Sequence, residues 1–229
     1  MLQNVRGVHF GDINIQWWAT RIKNLDASLG YIDPTHLPIY LTKDVLLYCG
    51  ENPFGVCSAG FHGAGTSENG NGNQPVQTFA WTSYLSPGLF AQPNGGGSWA
   101  FQDIYGVSHE ISEWAHNPFI TNTVEPWVQP TFPQGGCISN LLETGDPAVN
   151  IGFAMGTNVY FQGPNPNGTQ SADGYYHPTE EAFLSWFMRV APNNISEPTQ
   201  SPSTNIGRYT LMGNLNPLAA FHQPAAGCN

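Results

Sequence analysis

The chain has 229 residues, 40% of them hydrophobic and 10% charged, with six Lys plus Arg and a formal net charge of −10. So few cations leave no basic patch for phosphate, which argues against nucleic acid and anionic membranes as partners, and no apolar run reaches the roughly 18 residues of a membrane span, so the protein is expected to be soluble. The 26 Gly and 19 Pro are scattered without a linker, so a single loop-rich α+β domain with a mixed sheet is expected over residues 1–229.

In chain order, residues 13–29 read as a helix, with Trp18, Ile22, Leu25 and Leu29 spaced at three or four and Gly30 as its stop. Residues 37–41 and 45–48 are strand material, and residues 77–82 alternate as a half-buried strand would, with a Gly/Asn/Ser-rich loop over 60–73 between them. A helix capped by Asp103 carries His109 to His116 and stops at Asn117-Pro118, and Gly106 leaves room on it for another chain to approach. Residues 121–136, proline-rich and without helical period, read as a long loop; residues 149–161 read as a hairpin turning near Gly156-Thr157, and 163–174 as a polar turn. Residues 177–187 are expected to be helical, with Pro178 at the first position, Glu180 and Glu181 in the first turn, and Phe183, Trp186 and Phe187 inward.

Four cysteines without C-x-x-C spacing allow three pairings, of which Cys49–Cys57 and Cys137–Cys228 are expected. Low lysine content and the triplets Asn167-Gly168-Thr169 and Asn194-Ile195-Ser196 fit a secreted, extracellular protein. The first residues do not read as a signal peptide, as expected of a mature or trimmed form.

The stretch from Ser108 to His116 gathers His109, Glu110, Glu113 and His116 in a chain poor in charge. At roughly 100° per residue, His109, Glu113 and His116 fall at about 0°, 40° and −20°, opposite Val107, Ile111 and Trp114. Three candidate ligands share that face, and Glu110 stands where a general base stands in the H-E-x-x-H zinc motif, with Glu113 in place of its second His. An amphipathic helix with its polar stripe in water would give the same pattern. No second E-x-x-H helix, G-x-S-x-G elbow or phosphate-binding P-loop is present, whereas a glycosidase built from distant carboxylates stays open.

Several segments taken in order resemble a known family. Residues 37–45, then Cys49, Cys57 and Gly60-Phe61-His62-Gly63, are similar to the strand, cysteine pair and Gly-Phe-His segment of the EXORDIUM, or phosphate-induced protein 1, family of secreted proteins. His109-Glu110-Ile111-Ser112-Glu113, Asn117-Pro118 and Glu143-Thr144-Gly145-Asp146 resemble the H-E-x-x-E, Asn-Pro and E-x-G-D segments of that family and of related bacterial secreted proteins. The resemblance covers roughly residues 37 to 147. It implies a secreted domain with a zincin-like metal helix; some members lack the His-Glu pair, so kinship alone implies no reaction.

His109 and Glu113 supply two ligands, and Glu143, just after Leu141-Leu142 and at the position to which the resemblance points, is the expected third; it would otherwise be a turn acid in water. His116 competes, but i to i+7 spans about 10 Å, so it is assigned instead to orienting a ligand or substrate. Glu110 is the expected general base on an ion-activated water. His62, Tyr105, Tyr176 and His177 are candidates to face a developing oxyanion, with His177 equally suited to cap its helix. Zn2+ is the expected ion, with Mn2+ or Ca2+ admitted by the carboxylate. These readings converge on a secreted metal-dependent hydrolase, a zinc metallopeptidase acting on peptide or protein. The alternative is a non-catalytic protein that binds cell-wall polymer or glycan, with a structural metal, marked by Trp17, Trp81, Trp99 or Trp127 exposed together.

Overall fold

Strand-forming runs in the first half build two sheets that meet at two broken strands. The computed structural model describes residues 2–4, 7–29, 33–66, 76–90, 100–128, 138–149, 151–157, 162–164, 171–190 and 209–211. The first sheet has the order β1 (Leu2–Gln3), β2 (His9–Asn14), β4 (Val45–Tyr48), β5 (Val56–Ser58), with β2 and β4 parallel. The second has the order β3 (Ile39–Lys43), β7 (Val76–Tyr84), β6 (Gly60–Thr66), with β3 parallel and β6 antiparallel to β7. One residue separates β3 from β4 and one separates β5 from β6. Asp44, at φ 53°, is the first break, and its carboxylate accepts both the backbone N–H and the hydroxyl of Ser86 at 2.6 Å, which holds the left-handed turn. Ala59 is the second, and its carbonyl accepts the Ser83 N–H at 3.0 Å.

Two helices cover these sheets. Helix α1 (Ile15–Leu29) starts two residues later than its apolar spacing predicts, because β2 runs on through Asn14 to pair with Tyr48. It docks through Ile22 and Trp18 against Leu47, Phe79 and Trp81, whereas Leu25 and Leu29 lie exposed. Helix α2 (Tyr105–His116) packs on β7 and β6. Gly106 makes that approach possible: a Cβ there would lie 2.5 Å from Thr82 Oγ1 and 3.4 Å from Ser83 O. Asp103 does not cap α2. The N-cap position is Ile104, with no side-chain cap, and the Asp103 carboxylate is spent on His177, accepting its N–H at 2.8 Å and meeting its Nδ1 at 2.7 Å.

The second half departs further from its sequence pattern. Residues 60–66, expected in a loop, form β6, because the small residues Gly60, Gly63, Ala64 and Gly65 lie flat along β7 through a complete antiparallel register. Within the expected 121–136 loop, β8 (Thr123–Val128) pairs with β9 (Ile138–Leu141). Of the hairpin expected over 149–161, residue 150 and residues 158–161 lie outside the described residues; Gly152 and Met155 bridge Thr179 and Tyr176. β10 (Gln162–Pro164) and β11 (Ser171–Asp173) form an antiparallel pair within the predicted polar turn.

The expected helix over 177–187 is helical only at α3 (Leu184–Phe187). Residues 176–183 run extended, because their backbone groups are claimed elsewhere: Glu180 N–H by Ile151 O, Ala182 N–H by Thr144 O and Phe183 N–H by Tyr209 O. Tertiary pairing here overrides helix propensity. Trp186 and Phe187 are buried as expected, with Trp127, Leu142 and Ala182. Cys49 and Cys57 form a disulfide; Cys137, Cys228 and both glycosylation triplets lie outside the described residues.

Candidate metal centre

Helix α2 is turned opposite to an ordinary amphipathic helix. His109, Glu110 and Glu113 are buried at 8%, 6% and 4% exposure, while Val107, Ile111 and Trp114 are only half-buried. A polar stripe in water is therefore excluded. Burying two carboxylates and an imidazole costs several kcal/mol per charge unless each finds a partner, and the partners come from β6, the turn after β9 and the extended strap of residues 176–183.

Strand β6 brings His62 between them. Its Nδ1 lies 3.4 Å from Glu110 Oε2 and 3.8 Å from Glu113 Oε2, and its Nε2 lies 3.2 Å from Asn117 O and 3.7 Å from Glu143 Oε2. Gly60, two residues earlier, is what lets β6 come this close: a Cβ there would sit 2.6 Å from Glu110 Oε1. The Glu143-to-Asp146 turn closes the other side. Gly145 and Asp146 donate their N–H groups to Glu113 Oε1, each at 3.2 Å, and His109 Nε2 meets Glu113 Oε1 at 3.2 Å and Asp146 Oδ1 at 3.4 Å. A side chain on Gly145 would collide with the His109 ring. Tyr105 lies along the same helix face, its ring 6.1 Å from that of His109.

The strap adds a residue that periodicity placed elsewhere. Glu181, 7% exposed, lies beside the Ser112 and Thr144 hydroxyls, which favour its ionised form and face each other at 3.4 Å, and its charge is felt at His109 and Glu113. Read as a first-turn acid of a helix, Glu181 carried no site signal, and only the extended backbone delivers it here.

The electrostatics follow from this crowding. Burial, reinforced by the Glu113 charge and opposed by His62, pushes the Glu143 carboxyl up to about 8. Burial likewise pushes Glu181 up to about 8, against the pull of His109, and raises Glu113. For His62, burial favours the neutral ring, but the Glu110 hydrogen bond and charge, with Glu113 and Glu143, outweigh it and raise the pKa to about 9. His109 also rises well above its ordinary value: burial opposes the rise, and the Glu113 charge and the Asp146 contact win. The cluster thus traps protons where it lacks cations.

Two sets of side chains offer ligand atoms all within 4.8 Å of one another, namely His62, Glu113 and Glu143, and His109, Glu113 and Asp146. Glu113 belongs to both. The expected trio of His109, Glu113 and Glu143 is therefore brought to one site but divided between two sets, with His62 and Asp146 completing them. His62 was expected only as an oxyanion partner, and Asp146 only as part of a motif. The orphaned His109 Nδ1 and Glu143 Oε2, together with the imidazole-plus-carboxylate donor set, fit a divalent cation.

The remaining candidates lie apart from these sets. His116 is exposed at the end of α2, its Nδ1 bonded to Ser112 O at 2.8 Å. His177 is buried on Asp103 and Gln102 and caps no helix. Tyr176 is half-buried and exchanges backbone hydrogen bonds with Met155. No protein-family model matches the chain, and neither does any curated protein or solved structure.

Proposed function

We propose that the protein is a secreted metal-dependent hydrolase, a peptidase in which Glu110 is the general base. The observation that carries this reading is Glu110 itself, a buried carboxylate beside both ligand sets and a member of neither. Glu113, His62, His109, Glu143 and Asp146 are the residues that would hold the ion, with zinc preferred because a neutral imidazole is a poor calcium ligand. A bound divalent ion supplies a Lewis acid that polarises a carbonyl and acidifies water.

The chain's own residues do the rest. Glu110 takes a proton at Oε2, the oxygen that His62 Nδ1 faces at 3.4 Å, and returns it to the leaving amine. Two backbone amides fix the Glu113 carboxylate, so the ligand plane is set before substrate arrives. Side-chain exposure rises from 4% at His62 to 21% at Asp146, so substrate reaches the cluster from the Asp146 edge.

Secretion is supported by the Cys49–Cys57 disulfide and by the ordered segments that resemble those of the EXORDIUM family. No helix among the described residues is long and apolar enough to cross a membrane. An aromatic glycan platform gains no support, since Trp81 and Trp127 are buried; of the four tryptophans it would use, Trp17 is exposed and Trp99 lies outside the described residues.

Glu110→Gln separates catalysis from binding. The variant should keep fold and metal and lose peptide hydrolysis by 10²-fold or more, of the order expected for a general base. Zinc-loaded wild type that cleaves no member of a broad peptide library, or a fully active Glu110→Gln, would refute the peptidase reading.

A further inference from the structure

The two ligand sets overlap in Glu113 alone, and that carboxylate presents a different oxygen to each. Its Oε2 lies 3.8 Å from His62 Nδ1, while its Oε1 lies 3.2 Å from His109 Nε2. Ligands of one zinc-sized ion, each about 2.0–2.2 Å from it, lie at most about 4.4 Å apart. No set within 4.8 Å contains both histidines, or both Glu143 and Asp146. As arranged, one ion cannot collect them all.

We propose that the cluster holds a pair of divalent cations bridged by Glu113, one on His62 and Glu143 and the other on His109 and Asp146. This deepens the hydrolase reading and rests on it for the presence of metal, though not for the reaction catalysed. A carboxylate spanning two ions suits the separation of about 3.5–4 Å found in two-metal hydrolytic sites.

Three further observations agree. His62 Nε2 faces the carbonyl of Asn117 at 3.2 Å, which fixes the proton there and leaves Nδ1, the nitrogen beside Glu113 Oε2, as the ligand atom. Glu181, buried with the Ser112 and Thr144 hydroxyls beside it and no Lys or Arg partner among the described residues, has its charge felt at His109 and suits a cation on the second side. Charge gives the count. Glu110, Glu113, Glu143 and Glu181 have no Lys or Arg partner among the described residues. Once cations displace the protons and the imidazoles are neutral, one divalent ion offsets two of those four negative charges and a second offsets the rest, before Asp146 is added. Buried charge left uncompensated is what the interior tolerates least.

The two positions are unequal. Among the described residues no hydrogen bond reaches Oε2, whereas Oε1 accepts from the Gly145 and Asp146 amides, so the His62 side should fill first.

Manganese(II) is the probe, because isolated ions give a six-line electron paramagnetic resonance spectrum and a carboxylate-bridged pair gives an exchange-coupled one. Chelator-stripped full-length protein titrated with Mn2+ should bind two equivalents, the second producing the coupled spectrum. His62→Ala and His109→Ala should each bind one, uncoupled, with circular dichroism confirming the fold. Saturation at one equivalent, or two equivalents without coupling, overturns the bridged pair and leaves the single-ion hydrolase standing. If Mn2+ and Zn2+ both fail to bind the folded wild type, the pair and the metal reading fall together.

Discussion

Glu110 is held by packing against a glycine, and that makes the proposed base unusually testable. A Cβ at position 60 would sit 2.6 Å from Glu110 Oε1 and 2.7 Å from Cγ, so Gly60→Ala must push the carboxylate aside, while the extended backbone itself stays accessible to alanine. None of the residues in either ligand set is Glu110, so metal content should be unchanged while kcat falls 10-fold or more, as misplacement of a catalytic group predicts. Steady-state kinetics alongside elemental analysis would check this, and an unaltered kcat would remove Glu110 from the reaction. Much of the site at this scale is legible in the sequence. His109, Glu110 and Glu113 announce themselves by helical spacing, and Glu143 by following an apolar pair. Asp146 and Glu181 were not assigned, because their role depends on which backbone turns toward His109, and nothing local in the sequence encodes that.

The elements that succeed or fail as expectations divide by where their hydrogen bonds go. Helix α2 and strands β3, β4 and β7 follow local periodicity, and they form close to the residues that predict them. Residues 177–183 carry an equally clear helical pattern yet stay extended, because Ile151, Thr144 and Tyr209 carbonyls claim their N–H groups. Such distant pairing leaves no periodic signal. The Cys49–Cys57 bridge, by contrast, belongs to one of the three pairings the sequence allows and was the one expected, and its eight-residue separation tethers β4 to β5. Closing so short a loop contributes about 2–3 kcal/mol by restricting the unfolded chain. Mild reduction should therefore lower the melting temperature by several degrees, read by scanning calorimetry, and an unchanged melting temperature would show that the sheet edge holds without the bridge.

On the scale of the whole molecule, the sheets, α2 and the strap enclose a cluster of carboxylates that no Lys or Arg among the described residues pairs with. Without metal, protons fill the role. Glu143 and Glu181 have folded pKa values of about 8, above the unfolded carboxylate value, and His62 is raised to about 9. Each group raised on folding binds its proton more tightly in the native state, so the stability it adds is complete below the unfolded pKa and is lost as pH rises through the folded one. The metal-free protein should accordingly lose stability from about pH 5 to pH 9, and a cation entering the cluster must displace protons near neutral pH. The net charge of −10 favours that exchange by drawing cations to the surface.

Calorimetric titration of chelator-stripped protein with Zn2+ at pH 7, run in two buffers of different ionisation enthalpy, tests the metal centre most directly. The predicted result is saturable binding with release of at least one proton, abolished or strongly weakened in a folded Glu113→Ala variant. Absence of saturable binding, or binding undiminished by Glu113→Ala, would contradict a metal centre built on this cluster.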